Sequence, residues 1–451
     1  MPPPSRAPEA VVLTGATVVV ALDPPEVVRA DLIIEGARVR GFGPAPKGAI
    51  RRDCSGTIVV PGNVCAHHHL YSALARGMPY DLDTPKNFLE ILQLIWWRLD
   101  RALDERSVRA SATIGALEAL RCGTTTIVDH HASPNFIDGS LDVIADALGS
   151  LGVRAICCYE VTDRDGPARA AAGLAENRRF LGAPRPLARG MVGAHASFTL
   201  SDDTLVACAE LAHDARTGVH IHVAEDVCDE DDAETLFQMR VVERLSDAGV
   251  LDRRALLAHC VHVDEGEIAR IDASGSTVVC NPRSNMNNGV GHSPFTYRGV
   301  NVALGTDGIG GDMVAESQVG YFRARDGGHD VAGSWPISRL AASARLAGDV
   351  YEEPLLGTLR PGSPADLCVL SYDPPAPLDA GNLSGHFVFG LSSGRVRDVY
   401  VAGERVVHDG HSTRVDETEL AAKARVVTEE LWNRLEQIPP HTFSPRVRTT
   451  S

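Results

Sequence analysis

The sequence predicts an α/β protein: a (β/α)8 TIM-like barrel carrying a small β-sandwich built from both chain ends. Three observations predict it. Eight short apolar runs recur through the middle of the chain with helical stretches between them. Polar, ligand-type residues collect at the C-terminal ends of those runs. Segments rich in β-branched residues without intervening helices occur near the two ends. Eight β units over roughly 250 residues fit a closed barrel, whose catalytic face is the C-terminal end of its strands. A doubly wound sheet is the alternative, but it would want a Gly-rich turn after its first strand, and here that strand ends in histidines.

The N-terminal segment contains VVLTGATVVV and then DLIIEGARVRGF, a hairpin turning at Glu35-Gly36. The pattern returns in ADLCVLSYD (365–373) and RDVYVAGERVVHDG (397–410), which turns near Ala402-Gly403. Neither end has enough apolar surface for a core alone, so the two are expected to pair. The predicted division is 1–58 for the first part of the sandwich, 59–354 for the barrel and 355–415 for the second part. Residues 416–451 then form a C-terminal helix over 419–438 and a loose Pro- and Ser/Thr-rich tail. The barrel strands are expected within 56–69, 124–131, 154–163, 189–198, 217–226, 255–264, 276–285 and 301–310.

Composition excludes several functions. With 44% hydrophobic and 23% charged residues the chain is ordinary for a globular protein. Its 59 acidic against 43 basic residues give a net charge of −16. That argues against a nucleic-acid partner and against anionic membranes. No run of about 18 apolar residues occurs, and MPPPSRAPEA lacks a signal-peptide core, so a cytoplasmic location is expected. Ten scattered cysteines without a CxxC pair read as reduced thiols.

The first barrel strand ends in His67-His68-His69. Residues i and i+2 of a strand share a face, so His67 and His69 can turn inward together while His68 points out. Two imidazoles so placed form a metal half-site. The fifth strand carries His220 and His222. His222, nearer the strand end, is the better third ligand, and His220 lies a layer deeper as a core or supporting histidine. Glu225 follows where the strand leaves the barrel and can reach a substrate without ligating. Asp226 beside it reads as a surface carboxylate, and Asp229 to Asp232 as a solvated loop. The fourth strand contributes His195 and the sixth His259. Asp307, within LGTDG, is a carboxylate whose burial without a cation would be costly. The third and fourth strands contain no lysine to bridge two metals, and Glu160 is the sole, weak candidate bridge. The inventory fits one divalent ion held by three histidines and one aspartate, with a position open for water. Zinc suits the donors, and Fe(II) or Mn(II) would as well.

PGNVCAHHH, HIHVAE, AHCVH and GTDG, in this order and spacing, resemble the amidohydrolase superfamily, in the branch of guanine deaminase, cytosine deaminase-like enzymes, adenosylhomocysteine deaminases and triazine hydrolases. GTLRPGSPADL (357–367) resembles the segment where such chains return to their small β domain. WWRLDRALDE (96–105), DHHASPNFIDGSL (129–141) and NPRSNMNNGVGH (281–292) resemble the SsnA-type aminohydrolases, which implies a purine or related heterocycle as substrate. The resemblance implies His67, His69, His222 and Asp307 as metal ligands and Glu225 as proton shuttle to a ring nitrogen. It implies His259 as the group that orients the metal-bound hydroxide or polarises the reacting group, His195 as a substrate contact and a homodimer. Arg283 and Asn285, after the seventh strand, are further candidates for substrate contact. The expected activity is hydrolytic deamination of an amino-substituted, purine-like N-heterocycle with release of ammonia. Dechlorination or cyclic-amide hydrolysis on the same scaffold is the alternative. A non-catalytic binding protein would have lost ligands, and none is lost. A nucleic-acid editing deaminase would want an HxE…PCxxC signature.

Overall fold

The computed structural model describes residues 10–183, 185–298 and 301–445. Eight parallel strands form the barrel: Asn63–His68, Thr124–His131, Arg154–Val161, Val192–Ala196, Val219–Val223, Leu256–His259, Thr277–Cys280 and Val302–Leu304. They neighbour one another in chain order. The last strand meets the first through a parallel bridge between His68 and Asp307. Around it the amide of His69 donates to the Asp307 carbonyl at 3.2 Å, and the amides of Thr306 and Asp307 donate to the His67 carbonyl at 2.9 and 3.1 Å. The barrel therefore closes at its candidate metal ligands. Gly305 permits the approach, because a Cβ there would lie 2.7 Å from the His67 carbonyl oxygen.

Each strand divides its side chains between two apolar environments. Cys65, Ile127, Val219, Ile221, Val223 and Leu257 belong to the core shared with the surrounding helices. Val64, Ala66, Val128, Ile156, Leu256 and Val279 form a separate inner core. Tyr351, part of that inner core, donates its hydroxyl to the carbonyls of Ala155 and Leu187 at 2.8 and 2.9 Å.

The two chain ends meet in a seven-stranded sheet. Leu367–Leu370 runs antiparallel to Ile58–Pro61 on one side and to Val396–Val401 on the other. A four-stranded sheet built from Val11–Thr14, Leu32–Glu35, Arg38–Phe42 and Ile50–Asp53 supplies the second layer. Leu13, Leu32, Ile34, Val59, Leu367 and Val369 fill the space between. The run 56–69, read as one strand, is two. Ile58–Pro61 belongs to the sandwich and Asn63–His68 to the barrel, with Gly62 between them. An uninterrupted apolar run carries no break in periodicity to mark that change.

The expected loose tail differs from the structure. Residues 439–445 dock on the barrel mouth, where the His441 amide donates to the Gln93 carbonyl at 3.0 Å and Gln93 Nε2 to the Phe443 carbonyl at 2.7 Å. The Phe443 ring lies 5.9 Å from Trp97 and 6.4 Å from Phe198. Residues 446–451 lie outside the described residues. No helix of the described residues is long and apolar enough to cross a membrane.

One buried ion pair ties the sandwich to the barrel. Arg154, opening the third barrel strand, places Nε 2.5 Å from Asp366 Oδ2 and Nη2 3.2 Å from Oδ1. Asp366 also accepts the Ala402 amide at 2.7 Å. Removing one partner of a buried pair leaves the other charge uncompensated, so Asp366→Ala should cost about 3–5 kcal/mol of stability. Denaturant unfolding reads this directly, and a loss under about 1 kcal/mol would contradict the tie.

Candidate active site

His67 and His69 face the barrel interior because of a β-bulge. Val64 and Ala66 already point inward, so strict alternation would send His67 outward. Cys65 pairs with Ile127 and His68 with Asp129, three steps on one strand against two on the other. The extra residue reverses the alternation. His68 then turns away from the cavity, as expected, but it is buried there, its Nδ1 2.8 Å from Thr306 Oγ1. His195 is likewise the extra residue of a bulge, since Ala194 pairs with Ile221 and Ala196 with His222. His259 is brought in by a left-handed backbone, φ 72° at His259 and 48° at Cys260. By alternation it would follow Leu257 towards the helices, yet its ring centroid sits 5.6 Å from those of His67 and His222.

The donors converge. Asp307 Oδ1 lies 3.0 Å from His69 Nε2 and 3.3 Å from His67 Nε2, and His69 Nε2 lies 3.2 Å from His222 Nε2. Each Nδ1 is tied from behind. His69 donates to the His130 carbonyl at 2.6 Å and His222 to the His195 carbonyl at 2.8 Å. His67 Nδ1 shares a hydrogen bond of 2.7 Å with His220 Nε2. Nδ1 tethers of this kind fix the tautomer and leave Nε2 as the free donor atom. His67 Nε2 is buried without a hydrogen-bond partner. Burial pushes His67 and His222 far below the usual imidazole range, so both stay neutral. Burial pulls His69 down too, but the Asp307 carboxylate raises it to about 9. Burial raises Asp307, and its bonds to His67 and His69 hold it well below the carboxylate range. The carboxylate calls for a cation at this point. Three imidazole nitrogens and one carboxylate oxygen fit a divalent ion. Donor atoms lie within 4.8 Å of one another in three overlapping groups: His67, His222, His259 and Asp307; His69, His130 and His222; and Glu160, His195 and His222. The tethered His222, however, offers its one free nitrogen to a single ion.

Above the donors opens a cavity of about 220 Å³. Its wall is the stretch Phe88–Ala102, where a π-helical turn at Leu92–Trp96 delivers Trp96 and Trp97 to the barrel mouth. Glu225 lines it, with Oε1 receiving Asn288 Nδ2 at 3.3 Å and Oε2 3.4 Å from His259 Nε2. Burial, reinforced by the charge of Asp307, raises the Glu225 carboxyl well above the usual range. Ser284 Oγ donates to Asp307 Oδ2 at 2.5 Å and receives Asn288 Nδ2 at 3.3 Å, so Ser284 and Asn288 link the two carboxyl groups.

Several expectations need correction. Arg283 does not line the cavity. Its Nε is paired with Glu316, and its Nη2 donates to the Gly310 carbonyl at 2.8 Å. Asn285 does not line it either, but accepts from His259 Nδ1 at 2.8 Å and thereby orients that ring. Asp229 is no solvated residue. It lies buried in the helix Val227–Phe237 and accepts the amides of Phe198 and Ala224 at 3.0 Å each, with burial pushing it up to about 7. The buried polar residues that sequence reasoning missed include Ser284, His130, Arg164, Asp100 and Asp129. A histidine pair at the end of the second strand was the available signal.

The amidohydrolase family model matches residues 58–406. A 5'-deoxyadenosine deaminase of Methanopyrus kandleri is 30% identical over 385 residues, covering 83% of this chain and 86% of its own. A 5-methylthioadenosine/S-adenosylhomocysteine deaminase of Symbiobacterium thermophilum is 30% identical over 437 residues, covering 92% and 98%. The crystal structure of an adenosine deaminase from Xanthomonas campestris with bound zinc shares the fold, with a TM-score of 0.81 at 22% identity over 96% of this chain and 100% of that one.

The tethers separate holding an ion from orienting a neighbour. His69→Ala should yield protein without stoichiometric metal. Asn285→Ala should keep the ion and lower turnover about 10–100-fold, the usual effect of losing a supporting partner. Elemental analysis beside steady-state rates checks both, and a metal-free or fully active Asn285→Ala would contradict the assignment.

Proposed function

The chain belongs to the amidohydrolase family, hydrolases of carbon–nitrogen bonds, and from that premise we propose that it deaminates an amino-substituted, purine-like heterocycle. The observation that carries the reading is Glu225, a carboxyl that faces the cavity 3.4 Å from His259 Nε2, beside the donor cluster without belonging to it. Deamination needs such a group. A proton delivered to the ring nitrogen draws electrons from the adjacent amino-bearing carbon and opens it to water. Relatives named for deaminating 5'-deoxyadenosine or methylthioadenosine support an aminopurine.

We assign the ion to His67, His69, His222 and Asp307, whose donor atoms meet around Asp307 Oδ1, and zinc from that donor set. When bound, such an ion supplies Lewis acidity, bringing water to ionise near neutral pH. The chain's own residues do the rest. Glu225 gives its proton to the ring nitrogen. His259, its Nδ1 held by Asn285, directs Nε2 at the site of attack. Asp307 accepts the proton that water loses, and Ser284 and Asn288 hold it in line with Glu225. That proton goes to the departing amine and the remaining hydroxyl proton returns to Glu225, so water and the aminated ring become ammonia and a ring carbonyl. The aromatic wall excludes bulk water, which strengthens each of these contacts. All ten cysteines are unpaired, which supports a cytoplasmic location.

Glu225→Gln keeps shape and hydrogen bonding but removes the titratable proton. Its metal content should match the parent protein, and ammonia release should fall by about 10²–10⁴-fold. A metal-free variant would make Glu225 a ligand. A fully active one would remove the ring-protonation step and favour a hydrolysis that does not need it.

A further inference from the structure

The cavity wall carries a second polar group that neither the ion nor the proton transfer uses. Glu160, on the third barrel strand, and His195, on the fourth, both line the cavity and are 3% and 6% exposed. The Glu160 carboxylate is fixed from behind. Arg164 Nη1 donates to Oε1 at 2.8 Å, and His130 Nδ1 stands 3.3 Å from Oε2. Arg164 is itself anchored by Asp100, with its guanidinium 5.2 Å from the centre of the Trp97 ring. The buried ion pair with Arg164, which Asp100 also holds, keeps the Glu160 carboxylate charged.

His195 is set with equal definition. Thr199 Oγ1 spends its own proton on the Ala196 carbonyl at 3.1 Å, so it accepts from His195 Nδ1 at 2.7 Å. With the ring proton on Nδ1, Nε2 is the acceptor atom of His195. Nε2 stands 3.9 Å from Glu160 Oε1. Two acceptors cannot satisfy each other. Each carboxylate oxygen has room for about two hydrogen bonds, and of the contacts behind Glu160 only Arg164 supplies one, to Oε1. Capacity is left towards the cavity, and the molecule that enters must bring the donors.

We propose that Glu160 and His195 together read a pair of neighbouring hydrogen-bond donors on the substrate. The substrate is then a compact heterocycle whose ring edge carries N–H groups besides the amino group it loses. The inference rests on the deaminase reading for its substrate class and on the Glu160–His195 geometry for its donors. The cavity of about 220 Å³ is smaller than the roughly 300–1,000 Å³ of pockets for drug-sized ligands. That suits a bare ring between Trp97 and Phe198 better than a nucleoside bearing a long substituent. Ring N–H groups and sugar O–H groups share the same donor chemistry, and the test separates them.

Equilibrium binding to the zinc-loaded protein, read from tryptophan quenching, should be compared for 2,6-diaminopurine and adenine, which differ by one amino donor. Adenosine and 2',3'-dideoxyadenosine form the second pair. Diaminopurine should bind about 10–100-fold tighter than adenine, the range for a hydrogen bond to a charged acceptor, and Glu160→Gln should erase that difference while changing adenine binding little. Equal binding of the two bases by the parent protein would overturn the proposal. So would a Glu160→Gln variant that weakens both bases alike, which marks a structural role. A contrast confined to the nucleoside pair would move the donors to the sugar and overturn the ring-edge assignment. Should the variant fail to fold, the contrast in the parent protein decides alone. Ammonia release from the same samples reports separately on deamination: rings that bind with the contrast yet release no ammonia would sink that reading and leave this one standing.

Discussion

Asp307 is the residue the site depends on. Its carboxylate is buried against two histidines, and its backbone makes the contact that closes the barrel. A buried carboxylate with no countercharge would disfavour the fold, so the same residue that joins the last strand to the first also requires a cation. Closure and metal binding are thereby one structural problem, and the bulge before His68 solves it by turning His67 and His69 to the same point. The positions of these donors are set by the scaffold rather than by the loops.

The backbone is strained where this is achieved. Ala224, His259, Cys260 and Asp307 all adopt left-handed φ values, between 43° and 72°. Asp and His tolerate this region better than Ala or Cys, and each such residue costs on the order of 1–3 kcal/mol. Local hydrogen bonds offset the cost. The Ala224 carbonyl receives the amides of Val261 and His262, and the Cys260 amide donates to Val223. These turns lift Glu225 to the rim and swing His259 under it. Strain spent there brings Glu225 and His259 together beside the donor cluster.

The barrel was legible because a strand buried on both faces leaves an apolar run with helices between, and all eight runs contain barrel strands. The convergence of His67, His69, His222 and Asp307 was legible because donor-type residues at the ends of neighbouring barrel strands point to one place. What could not be read followed from geometry that leaves no mark on composition. Alternation gives the relation between His67 and His69 but not the bulge that turns both inward. In NPRSN the ligand-like residues seemed to be Arg283 and Asn285. The structure instead gives the cavity to Ser284 and Asn288, because the helix Pro282–Asn288 turns one face to it. Asp229 looked solvated among other acids, yet two unpaired amides of neighbouring turns needed an acceptor. Glu160 appeared as a weak metal bridge, and only its packing against Arg164 and His130 separates it from that role.

The central claim is a single ion held by His67, His69, His222 and Asp307. Anomalous diffraction from crystals of the metal-loaded protein, collected at the edge of the bound element, tests it most directly. The account predicts one strong peak per chain, within bonding distance of those four side chains. A second peak of comparable height between Glu160 and His195, or a sole peak away from Asp307, would contradict it.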